Sequence, residues 1–247
     1  MGGRSRLRGH RPHLRGAGAV KAETLETVLA DIEAKRPVVL ATNLETGDQR
    51  LLHPGDGENE SECADVERAL RVDACIATDA EGGPRVFYQP FNPPLRMIVV
   101  GAVHIAQSLS TMAALTGYEV IIVDPRESFA AADRFPGVTL NLKWPDAAME
   151  SLALDQRCAV VTLTHDPKLD DPALQVALRS DAFFIGCLGS KKTHASRLRR
   201  LCKAGFSEAE LARVKGPVGL PIGSRSPAEI AVSVLAQVTE TLRKPMC

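Results

Sequence analysis

The sequence predicts an α/β protein, with a Rossmann-type parallel sheet domain at the C-terminus and a smaller N-terminal α+β domain. Three observations predict it. Apolar runs at 97–102, 119–123, 158–163 and 182–188 are separated by segments of helical period, as when parallel strands are buried on both faces. The first run enters a glycine and then a helix in MIVVGAVHIAQ, the order of a nucleotide-site turn. Upstream, short alternating strands and amphipathic helices end at the proline-rich stretch 90–94, where the domain boundary is placed.

The elements follow in order. Residues 1–19 carry Arg4, Arg6, Arg8, Arg11 and Arg15 without an apolar period, which predicts a disordered basic tail. In the 20–92 domain, Leu25, Val28, Leu29 and Ile32 form a helical stripe stopped by Pro37. PVVLATNLETGDQRLL reads as two strands around Glu45 to Asp48, followed by a helix from about Cys63 to Arg71 and a second hairpin turning at Gly82 and Gly83. In the 95–244 domain, Gly117 suits a helix C-cap and Asp171 before Pro172 suits an N-cap. Ser207 with Glu210, and Ser226 with Glu229, have capping-box spacing. The last helix shows Ala231, Val234, Leu235, Val238 and Leu242 on one face.

Composition excludes some functions. Thirty basic residues balance thirty acidic ones among 247, and aromatics are only 4%, so neither net charge nor stacking platforms point to nucleic acid. No apolar run approaches the eighteen or so residues of a membrane span, and the arginine-rich start lacks the apolar core of a secretory signal. Six cysteines lie far apart at 63, 75, 158, 187, 202 and 247, with no zinc spacing, which predicts reduced thiols in a cytoplasmic protein.

Candidate ligand residues cluster after the strands. A dinucleotide turn uses its second glycine to admit pyrophosphate close to the backbone, and Val103 stands in that position. Gly101 and Ala106 fit the outer positions, and Asp124 lies where an acid would bind a ribose, with Arg126 beside it. A tight turn without ligand explains the same residues. THDPKLDDP, IGCLGSKKTHASR and GPVGLPIGSRSP each follow a strand and mix glycine with charge, so all three loops are expected to line one pocket. Gly189, Ser190 and Lys191 open a helix whose free N–H groups and dipole suit a phosphate. His104, His165, Asp166, Lys168 and Arg225 are further ligand candidates, although His104 also fits a capping or solvent role, and His165 and Asp166 a turn cap. Asp170 and Asp171 read as helix-start residues, and Arg197, Arg199 and Arg200 as a solvated face. His165 with His194 would make a metal pair, but no third ligand stands at a recognisable spacing.

MIVVGAVHIAQSL, VIIVDPR, LTHDPKLDDPAL, FIGCLGSKKTHASRL and GPVGLPIGSRSPAEIAVSVLAQV, in that order, resemble the C-terminal Rossmann domain of the XdhC/CoxI family. The resemblance covers about 95–244. It implies a non-catalytic chaperone that binds the molybdenum cofactor (molybdopterin), accepts its sulfuration from a cysteine desulfurase and delivers it to an apo-molybdoenzyme of the xanthine dehydrogenase type, with a homodimer as one assembly. The sequence departs from the family in two places. Gly101-Ala102-Val103-His104 replaces Gly-x-Gly-His, and the N-terminal half lacks a Ser-Gly-Gly-Cys segment, which Cys63 in GENESECADVE does not reproduce. Molybdopterin carries one phosphate, so Val103 is tolerable if the turn holds one side of the pterin while Gly189, Ser190 and Lys191 take the phosphate. The alternative is an NAD(P)-dependent oxidoreductase, which explains Gly101 and Asp124 but finds no evident proton donor beside a hydride site.

Overall fold

The computed structural model describes residues 20–78 and 85–244. The predicted tail and the Gly82–Gly83 turn lie outside these residues. The chain divides between Pro93 and Pro94 into two compact units.

The first unit contains α1 (Ala22–Glu33), β1 (Val38–Asn43), β2 (Gln49–Leu52), α2 (Glu60–Val72), β3 (Ile76–Thr78) and β4 (Val86–Phe91). Its sheet runs β2-β1-β4-β3, and all its pairs are antiparallel. Val39, Ala41, Leu52, Val66, Ala69 and Tyr88 form its core. Asn59 caps α2 by accepting from the Glu62 N–H at 3.0 Å. The stripe expected on α1 is corrected: Leu25 and Leu29 are each 52% exposed, whereas Val28 and Asp31 are buried. Asp31 can be buried because Arg36 at 2.7 Å and His53 at 2.9 Å engage its carboxylate.

The second unit contains β5 (Leu95–Val100), α3 (His104–Leu115), β6 (Tyr118–Val123), β7 (Thr139–Asn141), α4 (Pro145–Ser151), β8 (Cys158–Thr162), α5 (Pro167–Leu178), β9 (Phe184–Cys187), α6 (Lys191–Lys203), α7 (Glu208–Leu211), β10 (Val214–Lys215) and α8 (Pro227–Arg243). The six strands are parallel in the order β10-β9-β8-β5-β6-β7, the doubly wound arrangement that reverses direction between β5 and β8. Alternation along β5 explains its unbroken apolar run. Met97 and Val99 join the layer containing Leu109, Val234 and Val238, whereas Ile98 and Val100 join the layer containing Met149, Leu174 and Leu201.

Local signals set most helix ends. Gly117, with φ of 90°, follows the α3 C-cap Thr116. Ser207 and Ser226 form both halves of their capping boxes with Glu210 and Glu229. Ala231, Val234 and Val238 of α8 are fully buried. The start of α5 is corrected. Asp166, not Asp171, is its N-cap, Pro167 occupies the first turn, and Pro172 lies inside the helix. Asp166-Pro167 carries the same cap-then-proline signal five residues earlier. Starting there adds Leu169 to the buried stripe of Ala173, Leu174, Ala177 and Leu178. Pro172 forfeits one intrahelical bond, that to the carbonyl of the exposed Lys168.

Candidate functional site

In an open α/β sheet, ligands bind at the carboxyl ends of the strands where the strand order reverses. Here that point lies between the loops after β5 and β8. Gly101 adopts φ of 111°, and its N–H donates to the Val123 carbonyl at 2.9 Å. A Cβ on Gly101 would stand 2.5 Å from Thr164 Cγ2, so the two loops touch at the reversal. The Leu163 N–H reaches the Val100 carbonyl and the Leu188 N–H the Thr162 carbonyl, each at 2.9 Å, which brings the loop after β9 beside them.

Asp124, expected on a ligand ribose, is fully buried and already occupied. Its carboxylate accepts from the Ala102 N–H at 2.8 Å, the Arg126 N–H at 3.0 Å, Arg126 Nε at 2.8 Å and Arg126 Nη2 at 2.7 Å. Burial alone would raise its pKa, but the Arg126 side chain and the two backbone N–H groups outweigh it and hold the carboxyl below the usual carboxylate range. The expectation of a free acid is therefore corrected. Asp124 fastens the β5–α3 turn to the end of β6, and it consumes an N–H that a pyrophosphate would need. Arg126 spends its fork on Asp124 and stacks over Phe129 at 4.3 Å.

Val103 is the extended N-cap residue of α3 and packs partly against the core, while His104 opens the helix exposed to solvent. Both line a cleft of about 340 Å³ with Ser128, Phe129 and Arg134. The loops after β8 and β9 do not contribute to that cleft.

In the loop after β8, His165 is exposed with φ of 61°. Its ring stands beside Gly189, where a Cβ would lie 3.8 Å from His165 Nδ1. Asp166 accepts from the Lys168 N–H at 2.9 Å, so capping occupies its carboxylate, while the Lys168 side chain is exposed on the first turn of α5. Gly189, with φ of 144°, leads into Ser190, the N-cap of α6, which accepts from the Thr193 N–H at 3.1 Å. The Lys191 and Lys192 N–H groups precede the first intrahelical bond, from His194 N to the Ser190 carbonyl, and have no acceptor among the described residues. The Lys191 side chain is exposed at this end. Arg225 is exposed before α8, and its backbone N–H donates to Glu229.

One assignment made from sequence is overturned beneath this loop, and another is extended: Asp170 does lie in the first turn of α5. Arg197 is not on a solvated face: its side chain is 2% exposed, and Nη2 lies 3.4 Å from Asp170 Oδ2 and 3.0 Å from the Leu188 carbonyl. Asp170 is likewise buried, taking the Thr164 hydroxyl at 2.6 Å. A sequence signal for this exists, since Arg197 precedes the buried Leu201 by one helical turn. Arg200 pairs with Asp171 through Nε at 2.5 Å. His194 packs so closely on Gly216 that a Cβ there would stand 2.1 Å from Nδ1. Burial, then Arg197, lowers its pKa. No group of three or more metal-ligating side chains occurs among the described residues, and none of their helices is long and apolar enough to cross a membrane.

Comparison with known proteins identifies relatives of this chain. Over 166 residues the chain is 32% identical to the molybdenum cofactor insertion chaperone PaoD of Escherichia coli K12, covering 66% of this chain and 46% of that protein. It is 31% identical over 160 residues to a probable xanthine dehydrogenase subunit from Bacillus subtilis 168, covering 64% and 46%. The uncharacterized protein YqeB of E. coli K12 is 26% identical over 227 residues, covering 91% and 37%. The chain thus spans less than half the length of these curated relatives. A crystal structure described as a xanthine dehydrogenase from Bacillus halodurans shares the fold, with a TM-score of 0.66 and 24% identity over 90% of this chain and 67% of that one. Residues 97–238 match the XdhC Rossmann domain, and the chain belongs to that family.

Proposed function

We propose that this chain is a molybdenum cofactor chaperone, which holds molybdopterin at the carboxyl edge of the parallel sheet and passes it to an apo-molybdoenzyme of the xanthine dehydrogenase type. The observation that carries the reading is the start of α6, where Lys191 and Lys192 present open N–H groups, Lys191 an exposed ammonium, and the same helix carries the buried Arg197 guanidinium. The residues fit a singly phosphorylated pterin better than a dinucleotide. Ala102 N–H is closed by Asp124, whereas Lys191 and Lys192 N–H remain open. On this reading Gly189, Ser190 and Lys191 take the phosphate, Lys168 and His165 flank it, and Val103 and His104 face the pterin from the cleft beside Phe129. The bound cofactor supplies its redox-active metal to the client enzyme. This chain's residues bind and orient it. The name of the E. coli relative supports cofactor insertion; sulfuration by a cysteine desulfurase and assembly as a homodimer are the further parts of the same proposal.

An NAD(P)-dependent oxidoreductase is the second reading, favoured by the doubly wound strand order and opposed by the occupied Asp124. Titration with molybdopterin under nitrogen separates them. Lys191→Ala removes a charge-assisted hydrogen bond of about 1.5–3 kcal/mol, so affinity falls about tenfold to hundredfold. Ser190→Asp places a negative charge against the phosphate and weakens binding further, yet leaves thermal stability intact because aspartate is a good N-cap. Parental affinity in both variants would place the phosphate elsewhere, and a nicotinamide nucleotide copurifying in place of a pterin would favour the oxidoreductase.

A further inference from the structure

The ion pair beneath the α6 N-terminus lacks the geometry of a self-sufficient structural bridge. A buried pair offsets its desolvation when the partners meet closely and the remaining donors are satisfied. Here the contact is single and long, 3.4 Å from Arg197 Nη2 to Asp170 Oδ2. Arg197 Nε and Nη1 are buried without any acceptor, although a guanidinium carries five N–H donors. The side chain points back along α6 toward the helix start, as helical side chains do, and Nη2 donates to the carbonyl of Leu188, the residue immediately before Gly189. Asp170 gives Arg197 an incomplete counter-charge. Burial, opposed by the Thr164 hydroxyl and then by Arg197, raises the Asp170 pKa. Neighbouring His194 adds no compensating negative charge.

We propose that Arg197 determines how strongly the α6 N-terminus holds an anion: its under-compensated charge acts from below on a phosphate at Gly189-Ser190-Lys191, and Asp170 moderates that charge. This rests on the phosphate placement given above and adds to it a buried positioning residue that the ligand does not touch. The loop geometry and the field have one source, because the same guanidinium fixes the carbonyl of Leu188, the residue before Gly189 at the helix start. The pair also links the loops after β9, β8 and β5. Arg197 holds the loop after β9, Asp170 holds Thr164 in the loop after β8, and Thr164 abuts Gly101 in the turn after β5.

A purely structural pair and an electrostatic one differ in sign. Asp170→Asn keeps an oxygen for the Thr164 hydroxyl but removes the negative charge. Affinity for inorganic phosphate should therefore rise several-fold. Arg197→Met should lower it on the order of tenfold, since a unit charge in a partly buried setting acts through an effective dielectric of about 20. Arg197→Lys should retain part of the affinity, and added salt should compress all these differences. Phosphate titration of the full chain with each variant, beside Lys191→Ala, decides the matter. Weakened or unchanged binding in Asp170→Asn overturns the electrostatic role, and this variant carries the test even if Arg197→Met fails to fold. Sensitivity to Lys191→Ala with indifference to Arg197 and Asp170 overturns this inference alone. Absence of phosphate binding in the parent overturns both it and the site placement.

Discussion

Replacing Gly101 by alanine tests whether the turn after β5 is set by its contact with the loop after β8. Two costs combine. At φ of 111° an alanine is held in backbone space that side chains rarely enter, which costs about 1–3 kcal/mol. Its Cβ would also stand 2.5 Å from Thr164 Cγ2 and 3.3 Å from Thr164 N, an overpacking worth about 1–3 kcal/mol. A loss of about 2–6 kcal/mol is a large share of the roughly 5–15 kcal/mol that stabilises a domain. Thr164→Ser deletes only the offending methyl and keeps the hydroxyl that reaches Asp170 at 2.6 Å. The double variant should therefore recover the steric part but not the backbone part. Urea unfolding followed through Trp144, the only tryptophan and one that lies in the sheet unit, reads each step of the cycle. A Gly101→Ala loss below about 0.5 kcal/mol, or a cycle whose changes simply add, would refute the contact, because touching residues couple by about 0.5–3 kcal/mol.

Two further outcomes follow from buried groups in the chain. Asp124→Asn should destabilise the chain by about 1.5–3 kcal/mol at pH 7 through loss of charged hydrogen bonds to Arg126. Because the folded-state pKa lies below the ordinary 3.8, this contribution is full above that value and fades as pH falls through the folded pKa; urea melts at stepped pH should show parent and variant converging in acid, and a constant gap would contradict the pairing. Burial pushes the Cys158 thiol up to about 11 and the Cys187 thiol up to about 12, whereas Cys75 and Cys202 are exposed. Thiol reagent at pH 8 should therefore label Cys75 and Cys202 in the native chain and reach Cys158 and Cys187 only after unfolding; peptide mass spectrometry that finds early labelling at Cys187 would contradict the packing at the end of β9.

The sheet is readable from sequence where burial is two-sided. β5, β6, β8 and β9 carry apolar runs, interrupted by charge only at Arg96 and Glu119 near the starts of β5 and β6, because both faces are covered, and the helical segments between them mark the alternation. β7 and β10 give no such signal because three and two residues at the sheet edges are too short to show a period. The helix starts at Ser207 and Ser226 are legible because a capping box is complete within four residues. For α5 the local signal occurs twice, at Asp166-Pro167 and Asp171-Pro172, and only packing of Leu169 distinguishes them.

The site divides along the same line of interaction range. Ser190 and Lys191 are visible in the sequence because a helix start is a local event, whereas the burial of Arg197 depends on Asp170, twenty-seven residues earlier. Asp124 shows the opposite hazard: its spacing suits a ribose acid, yet the Ala102 N–H and Arg126 reach it first. That occupation also explains Val103. A second glycine is needed where a pyrophosphate must approach the turn's open N–H groups, and here one of those groups already points into a buried carboxylate. With no such approach to protect, the position accepts a side chain, and valine packs partly on the core while forming one wall of the cleft beside His104. The missing glycine and the buried acid are thus one adaptation of the turn, and restoring glycine at 103 without releasing Asp124 would leave the Ala102 N–H closed to a dinucleotide.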